Sequence, residues 1–165
     1  MTEREVQKAI GSNRSLRGYI CIPNVMMSYG RYEADLIMIR EKSKRVYEVE
    51  IKVDYHDFLK DFNKKCYHDH PDISYFFYAF PQDLYTAHKE DIDTLIKPGT
   101  GVMLVARKYH RNVYWKNGKV IEGEKSPYYD VDVIKRATCR PVQPISTERM
   151  YDYMRIGCMK WSRAE

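Results

Sequence analysis

The sequence predicts an α/β fold, a mixed β-sheet flanked by helices. Three observations predict it. Glu33 to Arg40 and Arg45 to Val53 read as two strands joined by the polar turn Glu41-Lys42-Ser43-Lys44. Ile73 to Phe80 (ISYFFYAF) and Thr100 to Lys108 (TGVMLVARK) are apolar enough for buried strands. The polar helical stretch Asp83 to Lys97 lies between them, which is the layout of a right-handed parallel crossover. Helical patterns at Glu3 to Ile10 and from about Asp54 to Tyr67 complete an αβββαβ order.

Each element has a local reason. Thr2 caps the first helix, Glu3 and Glu5 complement its first turn, and Gly11-Ser12-Asn13 is expected to end it. Arg17 to Val25 reads as a short strand closed by Pro23, followed by a loop to Tyr32 rich in Met and Tyr. In the second hairpin strand Tyr47, Val49, Ile51 and Val53 share one face and Glu48, Glu50 and Lys52 the other. Asp54 is an N-cap, with Tyr55, Phe58, Leu59, Phe62 and Cys66 as the buried stripe behind it. Asn117-Gly118 predicts a tight hairpin within Asn112 to Glu122, and Tyr128 to Val133 suggests one more strand. Residues 140–145 form a Pro-containing linker. Ser146 or Thr147 then caps a last helix whose apolar stripe is read as Met150, Met154, Cys158 and Trp161.

Composition narrows the classes. The 165 residues suit one domain, with a core over about 1–108 and a hairpin and helix extension over about 109–165. No apolar run reaches membrane-spanning length and no leader pattern opens the chain, so a soluble, cytoplasmic protein with no membrane partner is expected. Cys21, Cys66, Cys139 and Cys158 lie far apart and read as reduced thiols. Cys66, His68 and His70 bunch together without a second ligand cluster, which favours a polar loop over a zinc site. A net charge of +5 permits polyanion binding without requiring it.

The hairpin of the first two strands brings Asp35 towards Glu50 and Lys52. Mg²⁺ takes oxygen ligands, commonly one or two carboxylates plus waters. Asp35 and Glu50 supply the carboxylates and the Ile51 carbonyl a third ligand. Lys52, on the face of Glu50, is placed to orient a water or steady a crowded phosphate. Taken alone, alternating Glu and Lys is also the pattern of a solvated strand face with weak ion pairs. The acid on the preceding strand, the apolar opposite face and the helix that follows at once favour a site. Glu5 (or Glu3), Glu48, Asp57 and Asp61 are candidate accessory acids. Lys64 and Lys65 on the helix, and Arg111, Lys116 and Lys119 in the hairpin with Tyr109, Tyr114 and Trp115, are candidate nucleic-acid contacts, although an exposed hairpin edge guarded by lysines has the same composition.

Asp35 followed by Glu50-Ile51-Lys52 resembles the metal-binding motif of the PD-(D/E)XK nuclease superfamily. The likeness continues through Asp57-Phe58, Asp61, Lys64 or Lys65, Tyr67 and the strand Ile73 to Phe80, a pattern similar to the MmcB-like branch of DNA-repair endonucleases. It spans roughly residues 20–85. The chain departs from that pattern at Lys64-Lys65-Cys66, where the branch commonly carries a tryptophan. The resemblance implies a restriction-endonuclease-like fold and Mg²⁺- or Mn²⁺-dependent hydrolysis of DNA phosphodiester bonds, with Asp35, Glu50 and Lys52 in the catalytic roles. A non-catalytic nucleic-acid-binding protein with the same fold is the main alternative. A third is an interaction protein that uses its last helix, and a homodimer is compatible with either.

Overall fold

The computed structural model describes residues 1–27, 32–62 and 70–162, the side chains of 161 and 162 excepted. The described chain runs α1 (Glu3–Ser15), β1 (Tyr19–Met27), β2 (Tyr32–Arg40), β3 (Arg45–Ile51), α2 (Tyr55–Asp61), β4 (Ile73–Pro81), α3 (Gln82–Ala87), α4 (Lys89–Leu95), β5 (Gly101–Lys116), β6 (Lys119–Lys135) and α5 (Thr147–Ser162). The strands form one six-stranded sheet in chain order. β1, β2 and β3 are an antiparallel meander, β3, β4 and β5 are parallel, and β6 returns antiparallel to β5. The parallel β4–β5 crossover is the one the apolar runs predict.

Alternation along the strands sends side chains to two layers. Val6, Ala9 and Ile10 of α1 pack on Leu36, Met38, Val49, Ile51, Phe77 and Ala79 on one face. The opposite face is covered in two parts. Met150 and Tyr153 of α5 lie over Ile22, Ile37, Ile39, Val46 and Ile73. Phe58 of α2, Tyr85 and Ile92 lie over Phe76, Tyr78 and Phe80. There Phe58 meets Tyr78 and Phe80 edge-on, each pair at 5.3 Å between ring centres.

Several boundaries differ from the sequence reading, each for a physical reason. α1 passes through Gly11 and ends near Leu16, and Gly18 takes φ 78° to turn the chain into β1. β1 continues through Pro23 because it is an edge strand and Pro is tolerated there. Val53 lies beyond the end of β3 and is exposed. The stretch 83–97 breaks at His88 into two short helices. β5 runs on past Lys108 to Lys116, and Val131 of β6 joins the core, so the sheet does not divide at residue 108. In α5, Met154 and Cys158 face outwards and the buried side is Met150, Tyr153 and Gly157. A Cβ at Gly157 would lie 3.1 Å from Ile22 Cγ1, so glycine sets how closely α5 approaches β1. Ser146 is its N-cap, with the Ser146 hydroxyl accepting from the Arg149 N–H at 3.0 Å. The Tyr153 hydroxyl and Arg149 Nε both donate to Asp72, at 2.8 and 3.0 Å, and tie α5 to the start of β4. The far end of the helix after Asp54, with Tyr67, Cys66 and His68, lies outside the described residues, as does Tyr29.

Candidate functional site

The site forms where β2 and β3 part. Their ladder stops at Leu36↔Val49. One residue further along β2, Asp35 replaces the missing backbone partner with its side chain: Oδ2 accepts the Ile51 N–H at 2.7 Å. A residue's N–H and C=O point to the same side of a strand, so the Ile51 carbonyl shares this edge. Gln7 of α1 steadies the other side. Its Nε2 donates to the Asp35 carbonyl at 2.9 Å and to Asn24 Oδ1 at 2.8 Å. Asn24, at φ 51°, sits in the gap of the β1–β2 register opposite Asp35.

Glu50 and Lys52 project from β3 on the side of α2. The Lys52 ammonium has three N–H donors and meets three carboxylates: Glu50 at 2.8 Å, Asp61 at 3.0 Å and Asp57 at 3.2 Å. Lys52 and Glu50 are 3% and 2% exposed, whereas Asp57 is 50% exposed. Burial works to lower the Lys52 pKa, but Glu50 and then Asp61 outweigh it, and the net shift is upward. Lys52 is therefore a fixed cation.

The acids repel each other. Burial and then the charge of Glu50 push the Asp35 carboxyl up to about 8, against the pull of the Ile51 N–H. Glu3 is also raised, by burial and then by Glu50. Glu3, Asp35 and Glu50 thus share one electrostatic neighbourhood. Among the described residues no group of three or more His, Cys, Asp or Glu lies close enough to hold a metal ion. The available donor set is a pair of carboxylates with the Ile51 carbonyl, which fits the modest protein ligation that Mg²⁺ takes. Three carboxylates, Glu50, Asp57 and Asp61, share the one Lys52 ammonium, so acids outnumber the cation around it. Beside the site opens a groove of about 670 Å³, lined in part by Glu3, Arg4, Gln7, Lys8, Asn24 and Glu33.

The structure thus brings together Asp35, Ile51, Glu50 and Lys52, and Asp57 and Asp61 join through Lys52. Two accessory acids lie elsewhere. Glu48 is fully buried and accepts from the Tyr32 hydroxyl at 3.2 Å, so it serves the packing under α5. Glu5 closes the α1 capping box, accepting the Thr2 N–H at 2.7 Å and the Tyr129 hydroxyl at 2.9 Å. Those bonds hold it down at about 2. Glu3 is the first-turn acid that faces the site. Arg111, Lys116 and Lys119 lie on the β5–β6 hairpin, where Arg111 pairs with Glu122. Lys64 and Lys65 lie outside the described residues. Sequence reasoning does not single out Gln7 or Tyr78. Tyr78 stands beside Glu50 in the β3–β4 register, and its pKa is raised by burial and then by Asp61. A parallel register across 20-odd intervening residues leaves no local signal.

Cys21, Cys139 and Cys158 stay as thiols. No helix among the described residues is long and apolar enough to cross a membrane. The chain matches no protein-family model, and neither curated protein sequences nor solved structures show a significant match to it.

Proposed function

We propose that this chain is a divalent-metal-dependent endodeoxyribonuclease, with DNA as its partner and Mg²⁺ or Mn²⁺ as its cofactor. The observation that carries the reading is the pairing of half-buried Asp35 with buried Glu50 where β2 and β3 part, close enough for one to raise the other's pKa, with Asp35 anchored on the Ile51 N–H and Lys52 beside Glu50. The resemblance of Asp35 and Glu50-Ile51-Lys52 to the PD-(D/E)XK motif supports it. So does the order of α1, the β1–β2–β3 meander, α2 and parallel β4, which agrees with the αβββαβ order that the resemblance implies. DNA repair is the setting that the resemblance implies.

In this reading Asp35, Glu50 and the Ile51 carbonyl hold the metal, which when bound acidifies a water and offsets charge on the phosphate. The chain supplies position and protons. The Ile51 N–H fixes the angle of the Asp35 carboxyl group, which would have to be ionised to hold a cation. Lys52, with its raised pKa, acts as a hydrogen-bond donor and not as a base. Asp57 is its exposed partner; releasing it turns one N–H towards a water or a phosphoryl oxygen while Glu50 and Asp61 keep the ammonium in place.

The test pairs chemistry with binding. Purified protein should nick or cut one of a panel of linear, flapped, branched and single-stranded DNAs with Mg²⁺ or Mn²⁺. Asp35→Asn and Glu50→Gln should abolish this, and with it the proton release seen when Mn²⁺ is titrated at pH 7. Cleavage that survives both variants removes the mechanism. The non-catalytic reading keeps one specific observation in its favour: all three Lys52 donors are engaged within the chain. It predicts salt-dependent DNA binding with no metal-dependent product.

A further inference from the structure

β5 and β6 continue past the sheet as a two-stranded ribbon. β5 leaves its ladder with β4 at Pro81↔Val105 and runs on to Lys116, which at ~3.3 Å per residue is ~36 Å of extended chain. Every residue from Arg107 to Val120 is exposed. Asn117 and Gly118, at φ 53° and 74°, close the tip in a two-residue turn.

The direction of the ribbon matters. β3, β4 and β5 are parallel, so the ribbon leaves from the end of the sheet that carries Glu50 and Lys52. It starts two strands across from them, ~10 Å to the side at the usual strand spacing. The register Glu50↔Tyr78↔Val102 puts Val102 on the face of Glu50. Alternation then assigns Lys108, His110, Asn112, Tyr114 and Lys116 to that same face, with Lys119 opposite Lys116. On this face Lys108 pairs with Asp130 and the Asn112 amide donates to Ser126 at 2.9 Å, while His110, Tyr114, Lys116 and Lys119 add further donors towards the tip. The other carries Val113, Trp115 and Val120, and Trp115 is 74% exposed. Val113 and Val120 are exposed there as well, so this face packs on nothing within the chain.

We propose that the β5–β6 ribbon is an arm for duplex DNA, lying in the major groove beside the site. That groove is ~12 Å wide and admits a two-stranded ribbon. The length of the arm matches about one helical turn, ~34 Å. Lys116 and Lys119 meet phosphates at the tip, and His110, Asn112 and Tyr114 face base edges nearer the site. The inference rests on the nuclease reading only for where the cut falls, about one turn from the tip. Binding by the arm stands independently of that reading.

The test reads binding without chemistry. A fluorescein-labelled 30-base-pair duplex is titrated in EDTA with the wild type and three variants: Lys116→Glu with Lys119→Glu, Trp115→Ala, and Lys42→Glu with Lys97→Glu as a charge-matched control at the opposite end of the sheet. The arm pair should weaken binding at least tenfold and flatten the log–log salt slope by about two, one for each phosphate no longer neutralised. The control pair should bind within twofold of wild type. In a footprint, the arm pair should lose protection over about one turn on one side. Equal weakening by the control pair overturns the arm. So does tighter arm-dependent binding of single strands, or a wild-type dimer that Trp115→Ala dissociates. Arm-dependent duplex binding with no cleavage by any metal leaves the arm standing and removes the nuclease.

Discussion

Around Lys52 the chain hides charge, and along the β5–β6 ribbon it displays apolar surface. The first region buries Glu50, Lys52 and Asp61 and pairs both acids with the one ammonium between α2 and the end of β3. The second leaves Tyr109, Val113, Tyr114, Trp115 and Val120 exposed on a ribbon with an aqueous surface on both sides. Buried ions persist only where partners compensate the loss of water, so Lys52, Glu50 and Asp61 are structurally committed, while exposed Asp57 is not. Exposed ribbon residues carry no such commitment to the folded state. The contrast separates what this chain needs in order to fold from what it holds out to other molecules.

The comparison can be broken most severely at Lys52. Lys52→Ala strands Glu50 and Asp61 without their cation and should lower unfolding free energy by about 3–5 kcal/mol in a urea melt. A stability unchanged from wild type would mean that water reaches these acids. Asp61→Ala is milder, because Lys52 keeps Glu50 and Asp57; a loss of about 1–3 kcal/mol is expected from the same melts. Asp35→Asn, which leaves the ion pairs of Lys52 in place, therefore probes the chemistry more cleanly than removal of Lys52 does.

The next test is pH. Folding moves Asp35 from its ordinary 3.8 up to about 8, so the folded chain keeps a proton that the unfolded chain has lost. The unfolded state binds fewer protons across that window, and the contribution of Asp35 to stability falls as pH rises from about 4 to about 8. Asp35→Asn should remove that fall. Thermal melts in EDTA should show the variant gaining on wild type between pH 5 and pH 8, and a constant difference would contradict the assignment. The smallest effect belongs to the ribbon: Trp115→Ala should change stability by no more than about 0.5 kcal/mol, because its indole packs against little. A larger loss would show that the ribbon supports the fold.

What is legible in the sequence follows from how local each signal is. The β2–β3 hairpin is readable because a period of two runs through Tyr47, Val49 and Ile51 and the polar turn lies between clear apolar runs. The Asn117-Gly118 turn is also local, since both positions need positive φ. Glu48 shows the limit. It shares a strand face with Glu50, but Tyr32 and the α5 layer bury it, and only the tertiary packing distinguishes the two. Glu3 and Glu5 pose the same problem on a helix: both suit a first turn, and the neighbours Tyr129 and Arg107, more than 100 residues away, claim Glu5. The α5 stripe is misphased in the sequence reading because the deciding residue is Gly157, whose missing side chain admits Ile22 and carries no apolar signal. The three-way cage around Lys52 is likewise invisible there, because it needs α2, from Asp57 to its last residue Asp61, folded back over the end of β3.

The turn at Asn117 and Gly118 has a practical consequence. It sits at the outermost point of the ribbon, where a Cβ on Gly118 would meet no other atom within 4 Å. A reporter peptide spliced between the two residues enters open solvent and interrupts one tight turn, while the layers under α1 and α5 keep their packing. The molecule thus offers its own attachment point for a dye or an affinity handle, at the place where a passing polymer would be felt first.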